Sequence, residues 1–296
     1  MEIYYWIFRN TVALTGYKPK GINILAGFLG YFRYHVGYIG KDRSKKIYLK
    51  YIQEAFPQKS EKECKNILKK YWFNHQRKFL ELFVWPGLTK ETVKKWVKVK
   101  GSEYIDKALK EGRGVVLSVP HIGNERFLHI ALSLLGYPIS VVSSEYEDMS
   151  KAARDARLGA SQGFHHVGFL SNSPRWMVKT LKDNNILQIA STAFGGPKGK
   201  KIDVLGQPLW IATGPSRLSI QTGAVLLSAV SIRTDNNMYT IYVDPVKDSD
   251  DIDELTENQM KCFENYIKDY PGQLDWMMWL IRSEEAMGIK PIEHKL

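Results

Sequence analysis

Short apolar runs rich in β-branched residues alternate with longer segments of helical periodicity through most of this sequence. The predicted strands are Gly114–Val119, Ile139–Val142, Ile186–Ala190, Gly223–Ile232 and Met238–Val243. The predicted helices cover 60–83, 127–135, 175–182 and 252–268. Strands that alternate with helices form sheets that helices cover on both faces. We therefore predict an α/β fold with a central, mostly parallel or mixed sheet flanked by helices.

The helix predicted at 60–83 has the clearest boundary signal. Ser60 and Glu63 have the spacing of a capping box, in which the two side chains satisfy amides at the helix start. Apolar residues then recur with helical spacing on one face, at Cys64, Ile67, Leu68, Tyr71 and Trp72. The other face carries Lys62, Lys65, Lys69 and Lys70. Such a run is typical of a solvated surface and, less often, of a docking patch.

The positive charge of the chain is concentrated in one segment. The formal net charge is +11, and residues 41–110 contain 19 Lys/Arg against 8 Asp/Glu, so the rest of the chain is neutral. This excess fits nucleic acid, anionic lipid head groups or an acidic protein, but no nucleic-acid motif is recognisable. The two cysteines, Cys64 and Cys262, lack the spacing of a zinc site or a disulfide framework. Their number favours a reducing, cytosol-facing compartment.

The first 40 residues are rich in aromatic side chains, which are Tyr4, Tyr5, Trp6, Phe8, Phe28, Tyr31, Phe32, Tyr34 and Tyr38. No secretory signal is recognisable. The apolar stretch 22–32 ends at Arg33 and is shorter than the roughly 20 residues that span a bilayer, so we predict no transmembrane helix. Aromatic residues beside basic ones suit a membrane interface, and a helical pair packed on the domain is the alternative. We divide the chain into an N-terminal membrane-interfacial helical segment, 1–40, and an α/β domain, 41–296.

His121 is the main candidate for chemistry, because it follows the first predicted strand and precedes a helix. Functional groups of α/β sheets commonly lie at such strand ends. A neutral imidazole there can take a proton from a hydroxyl or an amine, while Glu125 fixes its tautomer and stabilises the imidazolium. A histidine at this place can also be a structural hydrogen-bonding residue. The remaining histidines lack this context.

Several segments in order resemble the lipid A late acyltransferase family (lauroyl/myristoyl acyltransferases) of the lysophospholipid acyltransferase superfamily. They include Pro120–Asn124, Gly195–Gly199, Leu205–Pro208, Thr213–Leu218 and Tyr270–Trp276. The resemblance implies a fold like that of glycerol-3-phosphate acyltransferase. It also implies acyl transfer from an acyl carrier protein or coenzyme A thioester to a lipid-borne hydroxyl, without a metal or redox cofactor. The expected place is the cytoplasmic face of the bacterial inner membrane, with peripheral or monotopic attachment.

The resemblance and the residues around its motifs together give the expected site residues. His121 is expected to be the general base, with Glu125 as its partner. The expected substrate-binding residues are Asn124, Arg126, Gly195, Gly196, Lys198, Thr213 and Arg217. The basic segment 41–110 then faces an acidic carrier protein or a phospholipid surface, and the N-terminal aromatics face the membrane.

The chain departs from the family pattern near the predicted site. The family has an acidic residue five positions after the histidine, where this chain has Arg126, and Glu125 comes one residue too early. On a helix, one residue rotates a side chain by about 100°. Serines at 143 and 144 stand where relatives often carry an arginine, and Ser191 and Thr192 replace an Asp-Gln pair. Either the site is rebuilt for an unusual acceptor, or the chain is a silent lipid- or carrier-binding homologue. Thioester hydrolysis is a third reading, and the absence of a Gly-x-Ser-x-Gly motif argues against a serine hydrolase.

Overall fold

The computed structural model describes residue 10 and residues 19–35, 43–82, 88–143, 166–169, 175–192, 199–234 and 238–288. It confirms the α/β class, with a seven-stranded sheet in the order β1-β9-β8-β2-β5-β3-β4. Its strands are β1 (Val97–Lys100), β2 (Val115–Val119), β3 (Ile139–Ser143), β4 (His166–Phe169), β5 (Ile186–Ala190), β8 (Val225–Arg233) and β9 (Tyr239–Pro245). All neighbouring pairs are parallel except β8 and β9, which are antiparallel. A separate antiparallel hairpin joins β6 (Gly199–Val204) to β7 (Gln207–Ala212).

The described helices pack around this sheet. They are α1 (Pro19–His35), α2 (Arg43–Ala55), α3 (Glu61–Glu81), α4 (Lys90–Val93), α5 (Ser102–Lys110), α6 (Glu125–Leu134), α7 (Arg175–Lys182), α8 (Gly214–Thr222), α9 (Ile252–Asp269) and α10 (Trp276–Ala286). β2 is buried throughout. Its Leu117 packs in a core with α5 and α6, and its neighbour Val116 packs in a core with α7, α8 and α9. Because successive side chains of a strand point to opposite faces, helices cover both sides of the sheet.

The five predicted strands are confirmed, and four further strands were missed. β1 has the sequence VKVK and carries the alternation of a strand with one solvated face, but it is only four residues long. β4 is also four residues long and lies at the other edge. The β6–β7 hairpin turns at Leu205 and Gly206, which both have positive φ, at 54° and 76°. Two positive φ values at the turn centre suit a tight hairpin.

A third core cluster lies where β2 ends. It combines residues of α2 and α3, the β6–β7 hairpin, and the C-terminal helices α9 and α10. Ile122, directly after His121, belongs to this cluster, and so does Leu274. Trp279 of α10 donates a hydrogen bond to Gln207 of the hairpin at 2.6 Å. The N-terminal and C-terminal parts of the described chain thus meet beside the predicted catalytic loop.

Helix α1 packs against α3, as expected of a helix that folds onto the domain. The approach is close, because a Cβ on Gly30 would lie only 2.8 Å from the Cα of Phe73. The opposite face of α1 exposes Ile24, Phe28, Tyr31 and Phe32. α1 therefore has both properties that the sequence left open, a packed face and an exposed aromatic face.

Of the other N-terminal aromatics, Tyr4, Tyr5, Trp6, Phe8 and Tyr38 lie outside the described residues. Within the described residues, no helix is both long enough and apolar enough to cross a membrane.

Candidate active site

The loop that carries His121 leaves the carboxyl end of β2, near the centre of the sheet. Its backbone is pinned on two sides. The amide of Gly123 donates to the carbonyl of Gln273 at 2.9 Å, and the amide of Asp275 donates to the carbonyl of His121 at 2.8 Å. On the other side, the amide of Asn124 donates to the carbonyl of Ser231 at 2.8 Å. The C-terminal motif at 270–276 therefore lies directly against the histidine loop, which its position in the sequence could not show.

Gly123 makes this close packing possible. It has φ of +67°, and a Cβ built on it would lie 1.9 Å from the carbonyl oxygen of Ser231. Any side chain there would have to push the loop away from β8. The glycine of the Pro120–Asn124 motif is thus required by the approach of two backbones.

The imidazole of His121 is held by Thr192, which follows β5. Oγ1 of Thr192 accepts the backbone N–H of His121 at 3.1 Å and lies 2.6 Å from Nδ1. A hydroxyl oxygen has two acceptor lone pairs, so it can accept from Nδ1–H and from the backbone N–H together. It can equally donate its own O–H to Nδ1, so the contact fixes the orientation of the ring and not its tautomer. In the Nδ1–H tautomer, Nε2 keeps its lone pair, as a general base requires.

The electrostatic surroundings keep this imidazole neutral. Burial lowers the pKa of His121 below its usual value, and the cations of Lys78 and Arg126 act in the same direction. The carboxylates of Glu125 and Asp275 oppose this change and stabilise a protonated ring. The imidazole is therefore neutral at pH 7, with a proton on one ring nitrogen only, and two negative charges lie where they would stabilise an imidazolium.

Glu125 is near His121 but is engaged elsewhere. Its Oε2 lies 2.7 Å from Nζ of Lys78 in α3, and its Oε1 lies 3.8 Å from Nε of Arg126. Burial alone would raise the pKa of Glu125, but Lys78, His121 and Arg126 together lower it to about 2. Glu125 is thus an ionised carboxylate that acts on the imidazole through its charge. The hydrogen bond predicted from Glu125 to the ring is made by Thr192 instead, because the short spacing turns Glu125 towards α3.

Asn124 was predicted to bind substrate, but its side chain is buried and holds the His121 loop in position. It is 1% exposed. Its Oδ1 accepts the amide of Phe127 as the N-cap of α6, and its Nδ2 donates to Glu81 at 2.7 Å. Glu81 also accepts from Tyr239 at 2.5 Å and pairs with Arg77 at 2.7 Å. Asn124 therefore has no exposed polar atom to offer a substrate in this geometry. Its buried network joins α3 and β9 to the His121 loop.

The remaining predicted residues are only partly brought together. Arg126 is half-buried beside Glu125. Thr213 is buried before α8 and accepts a hydrogen bond from Nε of Arg217 at 3.0 Å, while Arg217 is exposed. A Cβ on Gly214 would lie 3.7 Å from Ile189, so α8 begins beside the end of β5.

Gly195, Gly196 and Lys198 lie outside the described residues, as does Ser144. In the described part of the chain, no cluster of three or more His, Cys, Asp or Glu side chains is arranged to hold a metal ion.

Sequence reasoning missed Lys78, Thr192 and the buried residues around Glu81. Thr192 was identified as a departure from the family pattern, and its contact with His121 was not foreseen. Lys78 follows the exposed lysines of α3 in sequence and is nevertheless largely buried against Glu125. No local signal distinguishes it from its neighbours, because its partner lies 47 residues away.

Residues 4–283 match the family model described as bacterial lipid A biosynthesis acyltransferase. The chain belongs to this family. It is 25% identical over 209 residues to the phosphatidylinositol mannoside acyltransferase of Mycolicibacterium smegmatis (strain ATCC 700084 / mc(2)155), and the match covers 69% of this chain and 68% of that protein. It is 26% identical over 198 residues to the protein of the same name in Mycobacterium tuberculosis (strain CDC 1551 / Oshkosh), covering 64% of this chain and 61% of that protein. The family and these relatives make the chain a lipid acyltransferase.

Proposed function

We propose that this acyltransferase moves a fatty acyl group from a thioester donor to a hydroxyl group of a lipid or glycolipid, with His121 as the general base. The donor is acyl carrier protein or coenzyme A. The observation that carries the proposal is the contact of 2.6 Å between Nδ1 of His121 and Thr192, which orients the ring and, in the Nδ1–H tautomer that we propose, leaves Nε2 available as a base. An amine acceptor would use the same base, but the named relatives act on a mannoside, and sugars offer hydroxyl groups.

The proposed reaction uses the protein groups as follows. Nε2 of His121 takes the proton of the acceptor hydroxyl while the hydroxyl oxygen attacks the carbonyl carbon of the thioester. The imidazolium that forms is stabilised by the charges of Glu125 and Asp275. When the tetrahedral intermediate collapses, the carbon–sulfur bond breaks and the imidazolium returns its proton to the leaving thiolate. The products are an ester and a free thiol, and His121 is neutral again.

The charge of the N-terminal half supports an acidic donor or an anionic surface. All of the net positive charge lies in residues 41–110, which include the exposed lysines of α3. An acyl carrier protein and a phospholipid surface are both acidic, so either would be attracted to it. The exposed aromatic face of α1 supports attachment to a membrane at the interface. We place the enzyme on the cytoplasmic face of the inner membrane, peripherally or monotopically attached.

The test is transfer of a labelled acyl group by the full chain, with and without a membrane lipid extract. We expect labelled lipid only when the extract is present. His121→Ala should lower the rate by about a hundredfold or more, the usual effect of losing a general base. His75→Ala, a histidine substitution in α3, serves as the matched control and should leave the rate unchanged.

Three outcomes contradict parts of this proposal. Lipid acylation that persists at the full rate in His121→Ala would remove the histidine from its role as the base. Label that accumulates only as free fatty acid would assign the chain to thioester hydrolysis. Tight binding of donor or lipid without turnover would make it the silent homologue.

A further inference from the structure

A polar groove of about 690 Å³ lies between α3 and the segment that follows α9. Basic and amide side chains dominate its walls, together with the aromatic rings of Phe73 and Tyr270. Its lining includes Lys59, Lys70, Phe73, Asn74, Arg233 and Lys268. Glu63 and Asp269 also line the groove, and Glu63 is already engaged in the Ser60 capping box. The groove therefore has an excess of positive charge.

Arg233 is the fixed cation of this groove. Its backbone is clamped by the side chain of Gln273, which accepts from the Arg233 amide at 3.0 Å and donates to its carbonyl at 2.8 Å. Its guanidinium stacks on the ring of Phe73, 5.0 Å from the ring centre. Among the described residues, no carboxylate lies within ion-pair distance of this guanidinium. The carboxylate whose field reaches it, Glu81, is bonded to Arg77 and other partners.

The surroundings of Arg233 preorganise its side chain to bind an anion. The stacking on Phe73 removes part of the side-chain freedom that a ligand would otherwise have to restrict, and the clamp fixes the backbone from which the side chain extends. The planar guanidinium presents several donors that match the oxygens of a phosphate group. An arginine serving only the fold would be expected to pair with an acidic side chain when half-buried. Asn74, which donates to the carbonyl of Gly272 at 2.6 Å, holds the wall opposite in place.

The position of the groove connects the membrane-facing helix with the catalytic loop. Phe73 belongs to the α1–α3 interface, where Gly30 meets its backbone. Gln273, at the other wall, accepts the amide of Gly123 through its carbonyl. The groove thus meets the packed side of α1 through Phe73 and the His121 loop through Gln273.

We propose that this groove binds the phosphate group of an anionic acceptor lipid, with Arg233 as the principal contact. The inference rests on the proposed function, since it concerns the acceptor of the same reaction. The site is distinct from His121 and makes no covalent step. Its effect is to hold the lipid so that the reacting hydroxyl group reaches Nε2.

The test measures binding of the full chain to phosphatidylcholine vesicles with and without phosphatidylglycerol. Arg233→Met should weaken the additional binding to phosphatidylglycerol by about tenfold, the loss expected for one charge-assisted contact. Arg233→Lys should recover part of it, because a lysine keeps the charge without the fork of donors. Arg113→Met is the matched control, because Arg113 is exposed and precedes β2 at the opposite end of that strand.

Vesicle binding and acyl transfer are measured separately. Equal loss of vesicle binding in Arg233→Met and Arg113→Met would overturn the site, because only net charge would then matter. Binding of coenzyme A that depends on Arg233, without any such dependence for vesicles, would overturn the lipid assignment and give the groove to the donor. Failure of the proposed function would appear instead as transfer that survives His121→Ala, whatever the vesicles show.

Discussion

The hydroxyl of Thr192 accepts one hydrogen bond from the His121 backbone and meets Nδ1 of its ring at 2.6 Å. Thr192→Val removes this acceptor while keeping the shape of the side chain. We expect kcat to fall about tenfold, because the imidazole then loses the hydrogen bond that orients its ring. KM should change little, since Thr192 acts through His121.

Thr192→Ser is the matched variant and should restore most of kcat, because it returns the hydroxyl. Thermal unfolding of both variants separates a loss of folded protein from a loss of rate. If the valine and serine variants have the same kcat as the parent, another group orients the ring.

Lys78 affects the charge states of both His121 and Glu125. Its ammonium lowers the pKa of His121 and helps to keep Glu125 ionised. In Lys78→Met the pKa of His121 should therefore rise. Because the base must be unprotonated, the rate falls as pH drops through that pKa. The acid limb of the profile of kcat/KM against pH should then move to higher pH.

Lys69→Met is the control for Lys78→Met, because it removes an exposed lysine from the same helix. Its pH profile should match that of the parent. A shift of the acid limb to lower pH in Lys78→Met would contradict the proposed arrangement of charges.

The low pKa of Glu125 also has a consequence for folding. The contribution of ionised Glu125 to the stability of the fold is complete above the usual carboxyl pKa of 4.5 and is lost as pH falls through about 2.

At the scale of elements, α1 is a helix with two apolar sides. One side packs on α3, and the other exposes Phe28 and Tyr31, each 66% accessible to solvent. We predict that Phe28→Glu with Tyr31→Glu weakens binding to phosphatidylcholine vesicles by about tenfold or more, since each aromatic ring contributes substantially when it is buried. The fold should be unaffected, because both rings already face solvent.

Tyr104→Glu provides the comparison for this pair, because Tyr104 is an exposed aromatic residue on α5. Vesicle co-sedimentation of the three proteins measures the effect. Equal binding of the α1 variant and the parent would show that the exposed face does not contact lipid and would leave the packing on α3 as the function of the helix.

At the scale of the whole molecule, the sequence predicts the interior better than the edges. β2 and β5 were predicted nearly to the residue, because buried strands are continuous apolar runs. β1 and β4 were missed, because short edge strands carry little pattern. In the site, local sequence places His121 at the end of β2. The contacts of His121 with Thr192 and of Asn124 with Glu81 join residues 71 and 43 positions apart, so only the tertiary fold reveals them.

The asymmetry of charge is also a property of the whole molecule, and it predicts how a donor is recognised. If residues 41–110 attract an acidic carrier protein, raising the salt should raise KM for an acyl carrier protein thioester, because salt screens exposed charges over about 10 Å at 0.1 M. KM for acyl-pantetheine, which lacks the carrier protein, should stay nearly constant. Lys62→Glu with Lys69→Glu should raise KM for the carrier thioester at low salt, whereas Lys247→Glu, an exposed lysine outside the segment, should not. Equal salt dependence for both donors would mean that the basic surface faces the membrane alone.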